Sequence, residues 1–180
     1  MNRCQHTATK PPKNYPLYDL DIDGTRYSLK TQADDRLSWR KVWISKMMEL
    51  NTGKWDSDDS DLIALLDQYM THIAGCDRIL MLRTLQKAPE PWHYELVEIP
   101  KDLLLEAKDG TLEMMHNSKQ MPKPGYCRVK DSIGKTKFEL YFDGGGERKL
   151  QVKNLDRELC ITHANWIFSD TFALEQSVGG

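Results

Sequence analysis

The stretch YDLDIDGTRYSLKTQ, Tyr18 to Gln32, sets Asp19, Asp21 and Asp23 ahead of a glycine and then leaves through an alternating segment ending Ser28-Leu29-Lys30. Asp23-Gly24 is a hairpin turn signal, so 19–22 and 27–30 are expected to pair as antiparallel strands. Residues two apart share a face. Asp19 and Asp21 therefore project together, Ser28 and Lys30 project together, and one register of the hairpin brings both pairs to the same side. Carboxylates beside a Ser-x-Lys pair suit Mg²⁺ and a phosphate: the carboxylate is a hard oxygen ligand, and the lysine can orient water and offset charge on the phosphorane. The same residues also suit a solvated edge hairpin, and the stretch alone does not choose between the two.

Beyond the hairpin, the spacing of Trp39, Val42, Trp43, Lys46, Met47 and Leu50 predicts a helix over 39–50, capped by Ser38. A second helix is expected over 61–74, where Leu62, Ile63, Leu66, Tyr69, Met70 and Ile73 form an i, i+3, i+4 stripe, Ser60 or Asp59 caps the start and Gly75 ends it. The run from Asp77 to Leu85 has an unbroken apolar centre, Ile79 to Leu82, as expected of a central strand at 78–84 covered on both faces and lying beside the hairpin. WHYELVEIP reads as another strand, Pro100 opens a short helix over 101–107, and 111–125 reads mostly as loop. The remainder reads as a meander ending in CITHANWIF, with His163 near the core. The order predicts an α/β (α+β) domain with a mixed sheet flanked by helices and a C-terminal antiparallel meander.

One globular domain is expected of 180 residues that are 39% apolar with a net charge of −2. Three segments are distinguished within it: a polar stretch at 1–16, a core at 17–107, and a basic loop and meander at 108–180. No run of eighteen apolar residues suggests a membrane span, and the polar start has no signal-peptide character, so a cytoplasmic protein is expected. Cys4, Cys76, Cys127 and Cys160 lack metal-ligand spacing and read as structural thiols. Charge is uneven: Ser118 to Lys153 holds nine Lys/Arg against four Asp/Glu, which suits a polyanionic partner.

The hairpin resembles the PD-(D/E)xK nuclease motif, in which an aspartate on one strand faces a (D/E)xK triplet on the next. Asp19, nine residues before Ser28, is the counterpart of the motif aspartate ahead of Asp21, and Lys30 is that of the motif lysine. Two departures stand out. No proline directly precedes Asp19, and Ser28 occupies the usual acid position. Some type II restriction endonucleases resemble this SxK variant, with the missing carboxylate supplied by a glutamate on the next helix, here Glu49. The succession of SxK strand, two helices, the strand RILMLR and YELVEIPKDLL is similar to the later part of such a catalytic domain, over about residues 16–107. Only sixteen polar residues precede Leu17, where the family places a helix and more sheet, so the resemblance implies a shortened relative.

The resemblance implies a Mg²⁺-dependent endonuclease hydrolysing double-stranded DNA as a homodimer. Asp19, Asp21 and Glu49 would hold metal, Ser28 would reach it through water, and Lys30 would act on the nucleophile. Among DNA contacts, Lys119, Gln120, Lys123, Arg128 and Lys130 form the expected recognition loop, since Gln and Lys read base edges and Arg and Lys neutralise phosphates. Arg36 and Arg40 follow the motif strand, and Arg148, Lys149 and Lys153 follow the triple glycine. The Asp143/Gln151/Lys153 echo of the motif reads as a structural hairpin, because glutamine is a poor substitute for a hard-metal carboxylate. Two other classes stay open: a non-catalytic DNA-binding relative or fragment that kept the basic segment, and an interaction domain whose charges serve solubility.

Overall fold

The structure is a computed structural model that describes residues 6–13, 15–33, 37–50, 55, 58–87 and 90–169. Arg36 and Cys4 lie outside the described residues. In chain order the elements are β1 (Ala8–Thr9), β2 (Leu20–Ile22), β3 (Thr25–Gln32), β4 (Lys41–Glu49), α1 (Asp59–Ala74), β5 (Arg78–Gln86), β6 (Trp92–Ile99), α2 (Lys101–Leu105), β7 (Thr111–Met114), β8 (Gly125–Lys130), β9 (Thr136–Asp143), β10 (Lys149–Asp156) and β11 (Ile161–Phe168). They form two sheets, one ordered β1-β2-β3-β5-β6-β11 and one ordered β4-β10-β9-β8-β7. A single apolar core joins both sheets to α1. The expected mixed α+β architecture is present.

The opening hairpin forms as read. Asp23 and Gly24 both take positive φ, +52° and +86°, the conformation a two-residue hairpin loop demands and glycine adopts without penalty. β2 and β3 pair antiparallel with Leu20 opposite Tyr27. β3 then pairs in parallel with β5, which sits between β3 and β6, so the buried strand lies beside the hairpin as expected.

Three rows of side chains cross the inner face of this first sheet. Register aligns Ser28 with Ile79 and Ile99, Lys30 with Met81 and Val97, and Gln32 with Arg83 and Glu95. Eight of these nine are buried, and Lys30 is the half-buried exception. The opposite face differs from the expectation of cover on both sides. Leu29 and Leu82 are 46% and 39% exposed, and no described helix lies over them.

The segment expected as a first helix is instead a strand, β4, at the edge of the second sheet against β10. Its side chains alternate, with Val42 and Ile44 inward and Trp43 and Ser45 outward, until the register against β10 shifts and Met47 turns inward. That irregularity adds an odd residue between Ile44 and Met47, and with Leu50 just past the end of the strand the three acquire a spacing of three that imitates a helical stripe. Trp39 and Trp43 are exposed, and β-branched Val42 and Ile44 favour the strand. Two further corrections fall near the C-terminus. Residues Thr111–Met114 form β7 within the stretch read as loop, and β11 leaves the meander to pair with β6 in the first sheet. His163 is therefore on an exposed edge strand, bonded to Glu98 at 2.7 Å, and not near the core.

α1 is close to its expected span, but its cap is Asp58. The Asp58 carboxylate accepts from the Ser60 N–H at 3.1 Å, and the Asp61 carboxylate accepts from the Asp58 N–H at 3.0 Å, a reciprocal capping box. Asp58→Ala is expected to cost about 1 kcal/mol, read as a lower urea midpoint with an unchanged slope. At its C-terminal end, Gly75 abuts Leu17: a Cβ there would come within 2.6 Å of the Leu17 side chain, which fixes the helix end against the segment leading into the hairpin.

Candidate active site

The end of α1, the β3 strand and the C-terminal half of β4 enclose a cavity of about 920 Å³ lined by Lys30, Lys46, Glu49, Gln68, Thr71 and His72, with Tyr15 to Leu17 at its edge. Lys30 projects from the middle row of the first sheet towards β4, where its ammonium donates to the Met47 carbonyl at 3.2 Å. Burial pushes the Lys30 pKa down, and Asp19 opposes that shift. A lysine so placed holds its proton less tightly than a surface lysine and retains further N–H donors for a substrate.

Asp19 lies at the start of the hairpin, where its N–H donates to the Tyr27 carbonyl at 2.8 Å. Extending the β2/β3 register puts it opposite Ser28, on the face that carries Lys30. One carboxylate oxygen accepts from the Leu29 N–H at 2.7 Å, fixing the group and leaving the other oxygen for a cation or water. Ser28 is buried beneath, 3% exposed. Asp21 is turned to its own loop, accepting from the Gly24 N–H at 2.8 Å.

Glu49 reaches the cavity, but from the end of a strand and not from a helix. Its carboxylate is paired with Lys46 at 2.7 Å. Sequence reasoning thus named three members of this neighbourhood, Asp19, Lys30 and Glu49, and missed Lys46, Gln68 and His72. The i, i+4 spacing of Gln68 and His72 on a helix was the available signal, since it puts two polar groups on one side of α1. Lys46 had none, because its orientation depends on the β4 irregularity.

The donor set limits how a metal can be held. Among the described residues no three carboxylate, imidazole or thiol groups converge to bind one by themselves. A fixed carboxylate with one open oxygen beside a cavity does fit Mg²⁺, which keeps several waters and is commonly held by one or two carboxylates plus substrate phosphate.

The candidate DNA-contacting residues are distributed over the second sheet. Lys149 is opposite Glu49 across the β10/β4 ladder, and the Arg148 carbonyl accepts from the Leu50 N–H, so the β9–β10 turn lies beside the C-terminal end of β4. Lys149 is itself paired with Glu147 at 2.7 Å. On the outer face of this sheet, the Lys153 ammonium sits 3.5 Å from the Tyr141 ring centroid, while Arg128 lies over Tyr126 and pairs with Glu113 and Glu139. Gln120 and Gln151 both donate to Asp143, so the second motif echo is tied up in hairpin contacts. Lys119, Lys130 and Arg40 are exposed, and the Lys123 ammonium donates to the Ser118 carbonyl.

Cys76, Cys127 and Cys160 are unpaired thiols. Burial pushes Cys127 and Cys160 up to about 11, consistent with inert structural groups. No described helix is long and apolar enough to cross a membrane.

Comparison with known proteins places the chain in a family. No solved structure matches the chain. The type II restriction enzyme SmaI of Serratia marcescens is 46% identical over 153 residues, which cover 85% of this chain and 60% of that enzyme. The chain thus spans about 60% of the length of that relative. A family model described as SmaI, type II site-specific deoxyribonuclease, matches residues 1–168. With a match over nearly its whole length, the chain belongs to the SmaI family of type II site-specific deoxyribonucleases.

Proposed function

We propose that the chain is a Mg²⁺-dependent endonuclease that hydrolyses phosphodiester bonds of double-stranded DNA in the cytoplasm. The observation that carries this reading is that Asp19 lies on the sheet face of Lys30 and within its electrostatic reach, while Lys30 itself lines a cavity, in a member of a deoxyribonuclease family. Asp19 would hold the cation, and Glu49 would join it once released from Lys46. Mg²⁺ bound there would polarise a phosphoryl oxygen and acidify a bound water. Lys30, anchored to the Met47 carbonyl, orients the attacking water and offsets charge as the new P–O bond forms and the bond to the leaving ribose oxygen breaks. Ser28 supports the site through water from beneath. Asp19 and Lys30 serve a single cavity, cutting both strands calls for two such sites, and we assign the working form to a homodimer.

Lys119, Lys123, Arg128, Lys130, Lys149 and Lys153, with Arg40 and Arg148, are assigned to DNA contacts; Arg36 and Gln120 complete the set read from the sequence. Replacing Lys119, Lys123 and Arg128 together is expected to weaken binding and flatten its salt dependence by roughly one log-log unit for each phosphate left without its cation. Fluorescence anisotropy across a salt series measures it, and an unchanged slope would remove these residues from the interface.

The test of the reading is cleavage of supercoiled plasmids of varied sequence by the unmutated protein with Mg²⁺ or Mn²⁺, and its suppression by EDTA. A second reading, a non-catalytic DNA-binding relative, has one observation in its favour: the Lys46 pair that neutralises Glu49. Salt-sensitive DNA binding without cleavage would establish that alternative.

A further inference from the structure

We propose that His72 donates a hydrogen bond to the phosphodiester held at the Lys30 cavity, acting as a substrate-contacting residue that α1 adds to the hairpin. This rests on the endonuclease reading above and names a residue that the motif does not contain.

Three observations carry it. His72 lines the same cavity as Lys30, one turn along α1 from Gln68. It also lies within electrostatic reach of both Lys30 and Asp19. Its ring, half-buried, makes no hydrogen bond or ion pair among the described residues, whereas the other basic groups of the cavity are engaged: Lys46 by Glu49 and Lys30 in part by the Met47 carbonyl. Thr71 is not a competing donor, because its hydroxyl donates to the Asp67 carbonyl at 3.0 Å.

Burial and then Lys30 push the His72 imidazole pKa down against the pull of Asp19, which favours the neutral ring. A neutral imidazole offers one N–H donor and adds no charge to a cavity that already holds two lysines. A hydrogen bond from it to an ionised phosphate oxygen strengthens as negative charge builds in the transition state.

The experiment compares single-turnover cleavage in Mg²⁺ and DNA affinity in Ca²⁺ for unmutated protein, His72→Leu and His72→Gln. The leucine variant should cleave roughly 10–100-fold more slowly, with affinity within about twofold of unmutated protein. The glutamine variant keeps a side-chain N–H but carries no proton to transfer, and it should recover most of the rate. Equal loss in both variants, or no loss in the leucine variant, overturns the assignment. A readout independent of cleavage separates this inference from the endonuclease reading: the His72 imidazole resonances of unmutated protein should shift when a short duplex is added in Ca²⁺. Resonances that stay in place while the duplex binds overturn the inference even if cleavage proceeds.

Discussion

Lys30→Ala is expected to lose Mg²⁺-dependent cleavage, by roughly 10²–10⁴-fold in the single-turnover rate, while DNA affinity in Ca²⁺ stays within about twofold. The split follows from where the side chain works. Lys30 emerges from the middle of three side-chain rows, between Ser28 and Gln32 along β3, and its ammonium is held at the Met47 carbonyl in the wall of the cavity. On the proposed reading, ground-state DNA binding would be shared among the lysines and arginines assigned to DNA contacts, so one further half-buried ammonium would add little to it. Charge on the phosphorane exists only in the transition state, and removing an interaction made only there lowers the rate without changing affinity. Alanine also removes a stem that packs beside Met81, so the variant's thermal midpoint should be measured alongside. Equal losses of rate and affinity would make Lys30 a binding residue.

The largest effect on stability is expected at the far end of the same face. Arg83 is fully buried, and its guanidinium is shared among Gln32 at 3.1 Å, Glu95, and the carbonyls of Ser38 and Lys41. Arg157 closes the cluster with bonds to both Glu95 oxygens. These contacts pin the start of β4 to the first sheet and so set the wall that Lys30 reaches. Glu95→Ala would leave Arg83 buried without its carboxylate, and removal of one partner of a buried pair costs about 3–5 kcal/mol. A drop of that size in urea unfolding free energy is the expected result, and a drop below about 1 kcal/mol would contradict the cluster's role.

The pH dependence of the cluster has a definite sign. Burial works to raise the Glu95 pKa, but its bonds to Arg157 and its attraction to Arg83 outweigh that and hold it below the ordinary glutamate value. A carboxylate depressed on folding contributes stability above its unfolded pKa and loses it as pH falls through the folded value. Glu95→Ala should therefore flatten the acid limb of the stability profile.

What the sequence made legible was whatever depends on local chemistry. Asp23-Gly24 dictates a tight turn, Leu62 to Ile73 carries an unbroken helical period, and the apolar block at Ile79 to Leu82 has no other place than mid-sheet. β4 was misread because a register irregularity against β10 is a tertiary event that changes the inward spacing from two to three. The partition into two sheets was equally hidden. Nothing local in ITHANWIF separates a fourth meander strand from an edge strand paired with β6. At the site, Asp19 and Lys30 were readable because hairpin register alone puts them on one face. Glu49 was named for a helix that does not exist and still reaches the cavity, from the end of a strand. His72 and Lys46 were out of reach, since both owe their positions to how α1 and β4 close over β3.

A divalent cation bound at Asp19 beside Lys30 is what the proposed cleavage depends on most. Replacing Mg²⁺ with Fe²⁺ and adding hydrogen peroxide with ascorbate lets the bound Fe²⁺ reduce peroxide to hydroxyl radical and hydroxide while ascorbate returns Fe³⁺ to Fe²⁺. The radical cuts the polypeptide nearby, which locates the ion without any need for DNA cleavage. Cuts are expected in the hairpin around Asp19 and at the end of β4 around Glu49, suppressed by excess Mg²⁺ and absent in Asp19→Asn. Cuts confined to the Asp143–Lys153 hairpin, or unchanged by Asp19→Asn, would contradict it.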